Sequence, residues 1–74
     1  MSQFHKDVAE KRKIMRELYG GLMTAEDLQK EFGMRADQAS ALMKEKGFGV
    51  LIGKRIKFDT DLVAKYIVEK RGMV

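Results

Sequence analysis

The sequence predicts a mainly α fold with a small β-hairpin. Three observations carry that expectation. Apolar residues recur at helical spacing in four stretches, glycines fall where those stretches stop, and "VLIGKRIKF" at residues 50–58 has strand character with a turn signal in its middle. A chain of 74 residues is expected to be one domain, and at that size it buries only roughly 60% of the surface its unfolded form exposes. A large catalytic cleft is therefore not expected.

The first stretch, "FHKDVAEKRKIMREL", sets Phe4, Val8, Met15 and Leu18 on one helical stripe, with Lys11, Arg12, Lys13 and Arg16 largely off it. Gly20-Gly21 ends it. "MTAEDL" then reads as a helix start: Thr24 caps the next turn, Asp27 occupies the reciprocal position, and Met23 staples onto Leu28. This second helix covers about residues 25–32. Gly33 supplies the left-handed conformation that stops it, and Met34 drops an apolar side chain into the corner. A third helix begins at residue 35 or 36 and runs to 46, with Ala39, Leu42 and Met43 on its buried face and Gly47 as its stop. Next, a loop at Gly53-Lys54-Arg55 would put Val50, Ile52, Ile56 and Phe58 on one face of a two-stranded hairpin, leaving Lys57 and the basic tip in solvent. Asp59 or Thr60 caps the last helix, whose buried stripe is expected from Leu62, Tyr66, Ile67 and Val63. Residues 71–74 read as a loose tail. The six methionines are read as core filler, and Tyr19 and Tyr66 as boundary residues with wet hydroxyls.

Charge separates the segments further. Net charge is +4, and residues 50–58 hold three basic groups and no acid, whereas residues 22–49 hold four basic and five acidic groups. The basic excess therefore lies in the N-terminal segment and at the hairpin, which suggests a polyanionic partner. There is no cysteine, which removes disulfides, thiolate metal sites and a cysteine nucleophile. His5, Ser2 and Ser40 form no nucleophile–base pair that spacing supports, so no enzymatic activity, metal or cofactor is expected. No apolar run approaches the roughly 20 residues of a membrane span and no signal segment opens the chain. A cytoplasmic protein is expected.

A helix, a short glycine turn, a second helix, a basic-tipped hairpin and a closing helix form a helix-turn-helix order, in which the second helix presents one face to the major groove. The stretch "LMTAEDLQKEFGMRADQASALMKEKGFGVLIGKRIKFDTDLVAKYIVEK", residues 22–70, resembles the excisionase-type DNA-binding domain, a winged helix-turn-helix related to the MerR family. The resemblance rests on the "LMTAEDL" opening, "FGM" at the turn, the apolar Ala39, Leu42 and Met43, the wing "IGKRIKF" and the "DTDL" helix start. It implies a winged helix-turn-helix over residues 22–70, with residues 1–21 as an extra N-terminal helical extension. It also implies binding of double-stranded DNA by a phage or mobile-element protein that directs recombination or regulates transcription. A recombinase or other DNA-bound protein as partner, and self-association on DNA, come with that reading. Carried over by position, the DNA-binding residues are Arg35, Asp37, Gln38, Ser40, Ala41 and Lys44 of the recognition helix and Lys54, Arg55 and Lys57 of the wing. The chemistry suits part of this set, since Arg35 can pair with guanine, Gln38 with adenine, and Lys44 with a phosphate. Two alternatives stay open at this point. One is the DNA-recognition domain of a phage small terminase subunit. The other is a winged-helix protein-interaction module that has lost DNA binding.

Overall fold

Seven elements follow one another along the chain. They are α1 (Gln3–Tyr19), β1 (Leu22–Met23), α2 (Ala25–Phe32), α3 (Ala36–Glu45), β2 (Gly49–Ile52), β3 (Arg55–Asp59) and α4 (Thr60–Gly72). The computed structural model describes residues 3–72, with side chains to Lys70. The architecture is mainly helical with a small antiparallel sheet of order β1-β3-β2. Among the described residues, no helix is long and apolar enough to cross a membrane.

Local chemistry sets the helix boundaries. Thr24 caps α2 with a full capping box: its hydroxyl accepts from the Asp27 amide at 3.1 Å, and the Asp27 carboxylate accepts from the Thr24 amide at 3.0 Å. Gly33 ends α2 at φ 68°, in the left-handed region where a side chain is strained, and its amide returns to the Gln29 carbonyl. One turn later α3 begins, so the two helices meet at a tight corner with Met34 half-buried in it. At the start of α4 the carboxylate of Asp59 accepts from the amides of Asp61 and Leu62, at 2.9 and 3.2 Å, so the cap is Asp59.

The core draws on every element except β2. Met15 comes from α1, Met23 from β1, Leu28 from α2, Ala39 and Met43 from α3, Phe58 from β3, and Val63, Ala64 and Ile67 from α4. Met23 and Leu28 are both fully buried, as the staple reading expects. Three methionines fill the core and Met34 packs against it, in keeping with their flexible fit to irregular gaps. Met1 and Met73 lie outside the described residues. Packing of α1 on α4 is the most extensive helix–helix contact. A two-pronged ion pair reinforces it: Arg16 donates from Nε and Nη2 to the two Asp61 oxygens at 2.8 and 2.7 Å. Nearby, Glu31 bridges α2 to α1, meeting Lys11 at 3.0 Å and accepting from the Tyr19 hydroxyl at 2.8 Å. Burial first, then that bond to Glu31, pushes the Tyr19 hydroxyl up to about 12. Tyr19 is thus tied down at its polar end by Glu31.

Five expectations change. The sheet has three strands and not two, because Leu22 and Met23 pair with Asp59 and Phe58 of β3. The hairpin loop is two residues, Gly53-Lys54, with Ile52 opposite Arg55. Gly53, at φ 62°, takes the first turn position, where a positive φ matches the twist of the strands and glycine meets it without strain. Moving Arg55 from loop to strand shifts the register, and a one-residue shift moves a strand's side chains to the other face. Opposed residues share a face, so Gly49 and Leu51 lie with Phe58 and Ile56, while Val50 and Ile52 lie with Lys57 and Arg55. On α4, Leu62 is exposed, and Ala64 joins Val63 and Ile67 inside. On α1, Leu18 and Phe4 are exposed, leaving Val8 and Met15 as the buried positions. Finally, α4 runs through Gly72, so the first two residues of the expected tail are helical, and Met73 and Val74 lie outside the described residues.

This packing sets two measurable outcomes. Phe58 is the largest fully buried side chain, so Phe58→Ala should cost about 3–5 kcal/mol in urea unfolding; a loss below about 1 kcal/mol would show that Phe58 does not anchor the core. The second concerns acid. Hydrogen bonding to Arg16 holds the Asp61 carboxyl below its ordinary 3.8, burial opposing and the charges of Arg16 and Arg12 assisting. A depressed folded value means that the stabilisation is complete above pH 3.8 and is lost as pH falls through the lower folded value. Thermal melts from neutral pH downward should show a shallower acid limb for Asp61→Asn than for the wild type, and identical limbs would remove the pair from the acid response.

Candidate nucleic-acid interface

The start of α2, one face of α3 and the β2–β3 hairpin enclose an open groove of about 420 Å³. Its cations are Lys44 from α3 and Lys54, Arg55 and Lys57 from the hairpin, and Ser40 stands among them. Against these four cations the groove holds one carboxylate, Glu26. Backbone placement explains the convergence. The pairing of β1 with β3 sets the α2 N-terminus, two residues after Met23, beside the hairpin, and Ser40 and Lys44 lie one turn apart on α3. On the neighbouring surface of the hairpin, Gly49 matters as a close approach: a Cβ there would stand 3.3 Å from Ile56 Cγ2 and 3.8 Å from Lys44 Cγ. The tight neighbour is Ile56, which would have to give way to any Cβ at this position, whereas the Lys44 stem would only be in ordinary contact.

The nine sequence-derived candidates divide. Ser40, Lys44, Lys54, Arg55 and Lys57 line one groove. Arg35, Asp37, Gln38 and Ala41 do not line it, although all four side chains are exposed, with Asp37 and Ala41 on the same helical stripe as Lys44. Arg35, the N-cap residue of α3, supplies no cap bond of its own. It lies along Asp37 instead, with Nε 3.3 Å from Oδ1 and Nη2 3.4 Å from Oδ2. Asp37 also sits in the first turn of α3, where a carboxylate meets the positive end of the helix. The pair is exposed, and such pairs contribute at most about 1 kcal/mol, so a ligand can separate them at small cost.

Thr24, Ala25, Glu26 and Ile56 also line the groove, and sequence reasoning did not find them as site residues. Thr24 and its neighbours carried only a capping signal, and their place opposite the hairpin depends on the short β1–β3 pairing. Among the described residues there is no cluster of three or more metal-ligating side chains. Comparison with protein-family models, with curated proteins and with solved structures finds no match to this chain.

The charge balance of the groove gives a test with a sulfated polyanion. Glu26→Gln should elute from immobilised heparin at higher salt than the wild type, because the groove's one carboxylate is gone. Unchanged elution would place the heparin-binding cations outside this groove.

Proposed function

We propose that the protein binds double-stranded DNA through a winged helix-turn-helix, with α2 and α3 as the helix pair and the β2–β3 hairpin as the wing. In this reading it serves a phage or mobile element, in the cytoplasm, as an excisionase-like recombination directionality factor or a small transcriptional regulator. The observation that carries the proposal is the convergence of Lys44, Lys54, Arg55 and Lys57 on one groove beside the exposed face of α3. Two elements thereby offer cations to one polyanion. A helix face flanked by a basic hairpin suits a duplex, in which base edges lie recessed between two phosphate strands.

Roles within the site follow from position. The hairpin side chains are phosphate contacts: they sit on a stiff turn and hold little conformational freedom to lose. Lys44 reaches phosphate from the helix side. Arg35 and Gln38 are the base-reading candidates, and Arg35 must leave Asp37 to act, so the carboxylate sets a threshold against non-specific contact. Tolerating one inert and one acidic residue on the exposed stripe, Ala41 and Asp37, the site draws most of its affinity from the wing and its specificity from few contacts.

A second reading, a protein-interaction module built on the same fold, is favoured by one observation. Strand β2 is an edge strand with Val50, Leu51 and Ile52 all exposed, Leu51 by 72%, and exposed apolar edges are surfaces that other chains pair with.

The wing separates the two. Replacing Lys54, Arg55 and Lys57 together by alanine should leave the fold intact: Lys54 and Arg55 are exposed, Lys57 is half-buried, and among the described residues none of the three is in an ion pair, so little stability is at stake. It should weaken binding to any duplex and lower the magnitude of the log-affinity against log-salt slope by roughly 0.9 for each phosphate that the protein no longer neutralises. Electrophoretic shifts at two or more salt concentrations read both quantities. A folded triple variant with unchanged affinity and slope would reject the wing as a DNA contact and favour the second reading.

A further inference from the structure

The far side of α3 holds a second groove of different chemistry. At about 100° per residue, Leu42 lies roughly 200° from both Ser40 and Lys44, so one helix separates the two sites. This groove, about 360 Å³ in volume, is lined by the apolar side chains of Phe32, Met34, Leu42, Tyr66 and Ile67, from α2, the Gly33 corner, α3 and α4. Phe32 and Phe48 both meet the Tyr66 ring edge-on, with centroids 6.2 Å apart. The cations gather here as well. Lys70 lines the groove with its ammonium 5.4 Å from the Tyr66 centroid, and the Lys46 ammonium is 5.7 Å from the same ring. Glu31, the groove's carboxylate, is committed elsewhere: one oxygen meets Lys11 and the other accepts from Tyr19. An apolar trough thus has Lys70 in its lining and Lys46 at the same Tyr66 ring, and among the described residues neither ammonium is in an ion pair.

We propose that this groove docks an acidic peptide segment of a partner protein that places one or two large apolar side chains in the trough and carboxylates on Lys46 and Lys70. Charge complementarity selects the occupant. A neutral apolar segment would leave both ammonium groups unmatched, and a basic one would oppose them. Duplex DNA has no apolar side chain to fill the trough, and two cations are a small footprint for a phosphate backbone. A peptide of mixed acidic and apolar character satisfies both features, in the manner of an amphipathic segment lying in a groove. The two grooves open on opposite faces of α3, so the docked segment leaves the basic hairpin free. The proposal does not rest on DNA binding, and it stands or falls separately from that reading.

Fluorescence anisotropy with a short labelled peptide of glutamates and leucines, spaced to put the leucines on one helical face, tests it. The wild type should bind this peptide, and a version with lysine in place of glutamate should bind at least about tenfold more weakly. The double variant Lys46→Glu/Lys70→Glu should reverse that preference, while the alanine triple variant of Lys54, Arg55 and Lys57 should bind the acidic peptide like the wild type. Methyl chemical shifts of the wild-type protein give a reading that needs no variant to fold: the acidic peptide should perturb Met34, Leu42 and Ile67. Failure of the wild type to bind, undiminished binding by a folded double variant, or perturbations centred on Leu51 and Ile56 would each overturn the proposal, the last by showing that the peptide rides on the hairpin as a simple polyanion.

Discussion

Three consecutive residues, Phe58, Asp59 and Thr60, hold the molecule together. Phe58 fills the core from the central strand and pairs with Met23 on one side and Gly49 on the other. Asp59 donates its amide to the Phe48 carbonyl at 3.1 Å, closing the base of the hairpin, while its carboxylate caps α4. Thr60 is fully buried, and its hydroxyl donates to the Gly20 carbonyl at 2.8 Å while its amide donates to the Gly21 carbonyl at 3.1 Å. A buried hydroxyl is tolerated only when its hydrogen bond is made, so Thr60 fixes the turn after α1 against the start of α4. Strand, helix start and preceding turn are locked within three residues. The hairpin, the α2 N-terminus and α1 all take their positions from that joint.

The basic groove is a consequence of this joint more than of any property of α3. Lys54, Arg55 and Lys57 belong to a hairpin whose outer strand adds nothing to the buried core, and the hairpin would be marginal alone. Pairing through Phe58 and closure through Phe48 and Asp59 supply the rigidity that holds like charges near one another. Mutual repulsion among such cations lowers stability, and a chain this short has a thin core with which to offset it. The carboxylate of Glu26 at the groove edge relieves part of that repulsion in the free protein while opposing an anionic ligand. Under the proposed DNA binding, a polyanion would exchange that weak internal screen for a stronger external one.

Much of this was legible in the sequence, and the parts that were not have physical reasons. The helix-stop-helix at Gly33, the Thr24 cap and the burial of Met23 and Leu28 were readable because capping and glycine turns are local chemistry. The clustering of Lys54, Arg55 and Lys57 was readable because it lies within one short acid-free run. The hairpin register was not. Gly53-Lys54 and Gly53-Lys54-Arg55 both fit the residues, and alternation with apolar side chains on both faces, Val50 and Ile52 against Leu51 and Ile56, gives no preference between them. The strand β1 escaped because two residues show no period. Leu62 and Ala64 exchanged places because α4 is apolar nearly all round, at Leu62, Val63, Ala64, Ile67 and Val68, so the pattern alone does not select its buried stripe. The place of Glu26 was invisible for another reason: it depends on a contact between segments about 30 residues apart, and such contacts leave no local signature.

What α3 does is divide the molecule's chemistry. Its buried stripe, Ala39 and Met43, is short, since one position is an alanine that lets the helix lie close to the core. That leaves two flanks open to grooves of unlike character. On one flank Ser40 and Lys44 share a groove with the hairpin cations; on the other Leu42 shares one with Met34 and Tyr66. The Gly33 corner contributes to both, because it fixes where α3 leaves α2. The tight corner that makes the sequence conspicuous thus leads straight into a ten-residue helix whose own period puts a cationic flank and an apolar flank on opposite sides.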